Sequence, residues 1–275
     1  MKHLGSLHKI SVSALFIFLS LTARSGDPFR PSAGAGEAGM GYVCASKNSF
    51  WSSFHNQAHL SDYNSFSFGF NYENRFNLKE LGTRTAGIIL NSGKTSLGAV
   101  YSNFGNSDYK RDMAGVASAL KLSDKISAGV QVDFFSERTS GEYDNNQAVT
   151  FETGLLIKPN ESIRLGIHLF NPLPNSIRKS YMPARLNIGL GGELSSTLFA
   201  GIEAEMSSGY EPIFRTGFEY EAVKKFWLRG GFSTEHNSFS FGLGYLAKFV
   251  LIDLSFSTHE QLGITSSASL IFKIK

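Results

Sequence analysis

One eight-residue stretch constrains this chain more than any other. In Ser65-Phe66-Ser67-Phe68-Gly69-Phe70-Asn71-Tyr72 every even position is aromatic and every odd one is small or polar. A period of two puts the rings on one face of a β-strand and the small groups on the other. A row of exposed rings is unfavourable in water and favoured against lipid, so the pattern predicts a strand of a transmembrane barrel. It returns near the C-terminus, where Phe239, Phe241, Leu243 and Tyr245 alternate with Ser238, Ser240, Gly242 and Gly244.

Segments of this kind follow one another over residues 64–73, 83–91, 94–104, 111–122, 125–136, 147–158, 161–170, 184–194, 197–207, 212–222, 225–234, 237–247, 249–258 and 263–274. Their even number suits a bacterial barrel, and lengths near ten residues match the ~9–11 that cross a bilayer at a tilt. Links after even-numbered segments are brief, as in Ser92-Gly93, Ser123-Asp124, Pro159-Asn160, Ser195-Ser196 and Val223-Lys224. Those after odd segments run longer, over 74–82, 105–110, 137–146 and 171–183. Outer-membrane barrels sort their loops in this way, with short periplasmic turns and longer external loops. The expected fold is therefore all-β: a transmembrane antiparallel β-barrel of about fourteen strands, in the outer membrane of a Gram-negative bacterium.

The first residues read as a secretory signal, with Lys2 and Lys9 before an apolar run over 10–21 and small residues at Ala23 and Ser25. Loss of residues 1–25 removes Lys2, Lys9 and Arg24, so the basic count falls from 26 to 23 and equals the acidic count of 23. A neutral mature chain gives no reason to expect a nucleic-acid partner. Cys44 is the single cysteine, so no intrachain disulfide can form. The expected organisation is a signal peptide at 1–25, an N-terminal hatch or plug at 26–63 and the barrel at 64–275. Within the hatch, the Gly-rich stretch 34–41 is expected as a flexible turn, and residues 48–60 as a short helix.

Gly34-Ala35-Gly36-Glu37-Ala38-Gly39 fits the letter of a dinucleotide fingerprint, but no strand precedes it and no βαβ pattern follows. His55 and His59 stand at helical ligand spacing without a glutamate or a third ligand, so no metal is expected. No nucleophile elbow or catalytic triad can be placed, and the chain is expected to be no enzyme and to hold no cofactor. The polar phase of the strands sends charges of both signs into the lumen, among them Asp133, Glu152, Arg164, Arg215, Glu219, Arg229 and Asp253. These suit an internal ion-pair network better than a selectivity lining. Most strands also place a glycine in the inward phase near mid-strand, from Gly69 and Gly87 to Gly231 and Gly242. Such glycines mark a bend or the close approach of another backbone, so either a strongly curved waist or an inserted segment is expected at that level, and not a wide open pore.

Gly39-Met40-Gly41-Tyr42-Val43, followed by Phe54-His55-Asn56-Gln57-Ala58-His59-Leu60, resembles the N-terminal signature of the FadL-type fatty-acid transporter superfamily, in particular its PorV/PorQ branch. Gly39, Gly41, Asn56, Ala58 and Leu60 carry the match, while Gln57 and His59 replace the usual Pro and Gly. The segments 215–220, 228–232, 241–245 and 252–253 are similar as well. The resemblance implies a fourteen-stranded barrel with a lumenal hatch. It also implies one of two activities: a part in type IX protein secretion, with secretion-system proteins as partners, or uptake of hydrophobic small molecules. The secretion role is the first expectation, with outer-membrane lipid as the common surrounding.

Overall fold

The computed structural model describes residues 32–63, 66–92, 95–141, 146–173, 175–177 and 180–274. The expected signal peptide lies outside these residues. The strands are β1 (Phe66–Asn74), β2 (Gly82–Ser92), β3 (Thr95–Gly105), β4 (Tyr109–Lys121), β5 (Ile126–Thr139), β6 (Asn146–Ile157), β7 (Ile163–Phe170), β8 (Asn175–Ile177) and β9 (Ser180–Met182). They continue with β10 (Arg185–Ser195), β11 (Leu198–Ser207), β12 (Ile213–Val223), β13 (Phe226–Ser233), β14 (Ser238–Ala247), β15 (Val250–His259) and β16 (Gly263–Ile274).

All but β8 and β9 join in one closed antiparallel barrel of fourteen strands, sealed by β1 against β16. The expected segments fall on these strands, the largest difference being the end of β5 at Thr139 rather than 136. Loop sorting is clear at 75–81, 140–145 and 171–184, whereas the link over 106–108 is no longer than the turn over 122–125 at the other end. In the second half the links over 208–212, 234–237 and 260–262 are hardly longer than the turns at the other end. One expected loop holds structure of its own: between β7 and β10 the short hairpin β8–β9 folds back, with Ile177 and Met182 buried.

The two phases of each strand separate as lipid and lumen require. Phe70, Phe134, Phe214, Phe239, Phe241 and Phe256 point outward and are exposed. The inward glycines align across the sheet: Gly69 pairs Gly87, Gly129 pairs Gly154, Gly166 pairs Gly189, and Gly217 pairs both Gly201 and Gly231. The result is a series of bare patches around the inside of the barrel, interrupted by Val100, His168 and Ile271.

Residues 32–63 fill the space that these patches open. Helix α1 (Ala35–Gly39) packs on β13 to β16, and 3-10 helices at Phe50–Phe54 and Gln57–Asp62 occupy the opposite side. Two expectations are corrected here. The Gly-rich stretch is not a flexible turn: residues 35–39 are helical and buried. Residues 48–60 do not form one helix, because the chain breaks at His55 and Asn56 into two 3-10 turns.

Candidate functional site in the filled lumen

The signature residues show why their types are needed. A methyl on Gly39 would lie 2.7 Å from the Gly242 Cα, a backbone contact that no rotamer change can relieve. Gly41 has φ of +66° and would bring a methyl within 3.2 Å of the Phe232 nitrogen. Asn56 uses its whole amide: Oδ1 accepts from the Ala58 N–H at 3.1 Å, and Nδ2 donates to the carbonyls of Ala45 at 2.7 Å and Leu155 at 3.1 Å. It thereby caps the second 3-10 helix and ties it to the wall. Ala58 packs against Gly129 and Gly154, and Leu60 against Gly98. Apart from Gly115, whose neighbours are Asp133, Gln131 and Val100, the mid-strand inward glycines each face the inserted segment.

The lumenal charges form distinct groups around the insert. In the first, Lys47 of the insert donates to Glu219 at 2.6 Å, Arg229 donates to Glu219 at 2.6 Å, and the same guanidinium donates to Asp253 at 2.6 Å. In the second, Glu203 accepts the backbone N–H groups of Cys44 and Ala45, both at 2.8 Å, and Arg215 bonds Glu205 at 2.9 Å. Arg185 lies 3.7 Å from Glu205. The third is buried between β5, β6 and β7: Gln57 donates to Glu152 at 2.5 Å, His168 donates to the same oxygen at 2.8 Å, and Gln131 donates to Asp133 at 2.8 Å. Lys158 holds Asp62 through both oxygens at 2.7 Å. Arg164 stands apart, pairing with Glu193 at 3.0 Å over the Phe199 ring.

Thus Asp133 and Glu152 come together, as do Glu219, Arg229 and Asp253, while Arg215 belongs to a separate group. Sequence reasoning missed the partners on the insert, Lys47 and Gln57, and the wall residues Arg185 and His168. The last two follow the inward phase of their strands and were legible from it. His55 and His59 do not share a helix face. Their Nε2 atoms donate to different carbonyls, Ala33 at 2.8 Å and Ala45 at 3.0 Å. Burial pushes His55 down to about 4, so the ring is neutral and acts as a strut.

Not all of the lumen is polar. Phe50, Trp51, Phe54 and Leu60 of the insert pack with Ile89, Val100, Met113, Phe135 and Phe170 of β2 to β7. Ile177 and Met182 of the hairpin belong to the same apolar cluster. Beside it, β7 pairs with β6 only from Glu152 to Ile157, and β8 packs on the rest of β6. The apolar cluster thus lies on the β2–β7 side of the lumen, beside the buried Asp133–Glu152–His168 group, while the other two charged groups lie on β10 to β15. Two cavities border the insert at residues 36–44. One of about 580 Å³ opens at the long-loop end among Tyr42, Glu73, Arg215 and Glu235. The other, of about 180 Å³, lies at the short-turn end among Lys47, Trp227, Arg229 and Lys273.

Fold and lumen together define the class: a closed fourteen-stranded barrel filled by its own N-terminal segment. Solved structures that share this fold are the toluene transporter TbuX of Ralstonia pickettii, the monoaromatic hydrocarbon channel CymD and a FadL homologue of Pseudomonas aeruginosa. TbuX matches with a TM-score of 0.71 and 14% identity over 90% of this chain and 100% of its own. CymD gives 0.70 and 13% over 88% and 98%, and the FadL homologue 0.67 and 11% over 89% and 99%. The likeness is one of fold: a closed fourteen-stranded antiparallel barrel. Neither a protein-family model nor a curated protein sequence matches the chain.

Proposed function

We propose that this chain is a non-enzymatic outer-membrane channel of FadL type that admits small hydrophobic molecules along the apolar cluster on the β2–β7 side of its lumen. One observation carries the reading: Phe50, Trp51 and Phe54 of the insert pack with Phe135 and Phe170 of the wall in an apolar cluster that Ile177 and Met182 of a short hairpin join. The fold shared with toluene and monoaromatic hydrocarbon channels supports the same choice and favours it over the secretion role. On this reading the insert 32–63 is a hatch, and displacement of the hairpin lets an apolar solute in.

The test uses Trp51, which Trp227→Phe leaves as the only tryptophan of the chain. Toluene should shift Trp51 emission saturably and should enter proteoliposomes bearing the protein faster than empty ones. A linear, non-saturating response with entry equal to that of empty vesicles would overturn the reading.

A second reading, a PorV/PorQ-type component of type IX secretion, is favoured by the filled lumen and by the signature around Asn56. Purification from native membranes separates the two. Secretion proteins recovered with the barrel support the second, and bound apolar compound without a protein partner supports the first.

A further inference from the structure

Around most of the barrel, the outward phase at the long-loop end is apolar, as at Leu186, Met206, Phe214, Phe232, Phe239 and Phe256. On β2 to β5 it is not. There the outward positions at that end are Arg84, Asn103, Lys110, Asp112 and Arg138. Strand register places Arg84, Asn103 and Asp112 in one row, and sets Lys110 directly opposite Arg138 two residues further out. Like charges facing each other across a strand pair are destabilising.

Among the described residues, only Lys110 of that pair has a carboxylate, that of Asp112, within ion-pairing distance. Asp112 is the nearest acid, and it already accepts from Tyr101 at 2.5 Å and Asn103 at 2.9 Å, with Lys110 at 3.3 Å. One carboxylate cannot balance three cations. Among the described residues no carboxylate lies within ion-pairing distance of Arg84 or Arg138. Arg84 instead lies over the Tyr72 ring, 5.9 Å from its centre, which holds the guanidinium against the wall.

A second observation comes from the row just below. Register aligns Phe70, Ala86, Tyr101, Ala114 and Phe134 across β1 to β5. Large rings alternate with methyl groups, so the outer wall has shallow grooves at Ala86 and Ala114. Arg84 stands directly above the first groove, and above the second come Asp112 and then Lys110, which pair with each other at 3.3 Å. Two strand spacings separate these grooves, roughly 10 Å.

We propose that this sector binds a phosphorylated glycolipid of the leaflet it faces. Two phosphates, set across a sugar core, would meet Arg84 and the Lys110–Arg138 pair, and acyl chains would lie in the alanine grooves. Guanidinium groups suit phosphate oxygens in pairs, and the ammonium of Lys110 adds a point charge. The assignment rests on membrane insertion and is independent of what passes through the lumen. It gives the barrel a fixed lipid on one side, next to the β6–β8 contact.

The test is native mass spectrometry of the full protein in mild detergent, titrated with diphosphorylated lipid A, its dephosphorylated form and phosphatidylglycerol. The heat-dependent gel shift of each sample reports whether the barrel is intact. Diphosphorylated lipid A should be retained on the wild type at least tenfold better than either other lipid. Arg84→Gln with Arg138→Gln should abolish the preference without altering the gel shift. Lys110→Gln, which removes only one of the opposed cations, should weaken it in part. Equal retention of the dephosphorylated lipid or of phosphatidylglycerol would overturn the proposal, as would an unchanged preference in an intact double variant.

Discussion

Gly39 of the inserted segment and Gly242 of β14 meet backbone to backbone, so that a methyl on Gly39 would stand 2.7 Å from the Gly242 Cα. Both chains are fixed at this point, one by helix α1 and the other by the barrel ladder. Gly39→Ala should therefore destabilise docking of the insert by about 1–3 kcal/mol, the usual cost of overpacking a close-packed site. The temperature of the heat-dependent gel shift checks this, and should fall while the strand content seen by circular dichroism stays the same.

Arg229 is bonded to Glu219 and to Asp253, and Glu219 also accepts from Lys47. Arg229→Met leaves Asp253 without its cation in a buried site, an arrangement that costs about 3–5 kcal/mol where one partner of a buried pair is removed. Hydrogen exchange of residues 35–47 should accelerate. Arg229→Met combined with Asp253→Leu should recover part of the protection, because no isolated charge remains.

Asn56 joins three backbone groups through one side chain. Asn56→Ala leaves the Leu155 carbonyl and the Ala58 N–H to find other partners, at about 1–3 kcal/mol for each group left unsatisfied, while the Ala45 carbonyl keeps its bond from His59. Limited proteolysis should then cut the insert in the variant, at a protease concentration that leaves the wild type whole.

Burial pushes Glu37 from its ordinary 4.5 up to about 7. A carboxyl whose folded pKa lies above its unfolded one holds more protons folded than unfolded between the two values, so stability falls as pH rises through that window. The gel-shift temperature of the wild type should accordingly fall relative to that of Glu37→Gln between pH 5 and pH 8. Glu37→Gln has no proton to lose there.

The barrel was legible because its signal is local. A two-residue period needs only neighbouring residues, and each strand of the fourteen carries enough rings or alternating polarity to declare itself. The inward glycines also pointed to either a strongly curved waist or an inserted segment, since glycine in a strand marks a bend or the close approach of another backbone. What could not be read was which part of the insert meets which part of the wall. Cys44 bonds Glu203 across 159 residues of sequence, and Lys47 bonds Glu219 across 172. No periodicity encodes such distances. Helix type failed for a related reason: residues 48–60 carry helical spacing, but the wall contacts of Asn56 and Gln57 break the run into two 3-10 turns. The hairpin β8–β9 was missed because strands of three residues are too short to show alternation.

The central claim is that residues 32–63 close the lumen of a fourteen-stranded barrel. Single-channel recording in planar bilayers tests it most directly. Wild-type protein, shown to be inserted by its heat-dependent gel shift, should pass almost no ions, with brief openings that become frequent in Arg229→Met. A large, steady conductance from the wild type would contradict the account.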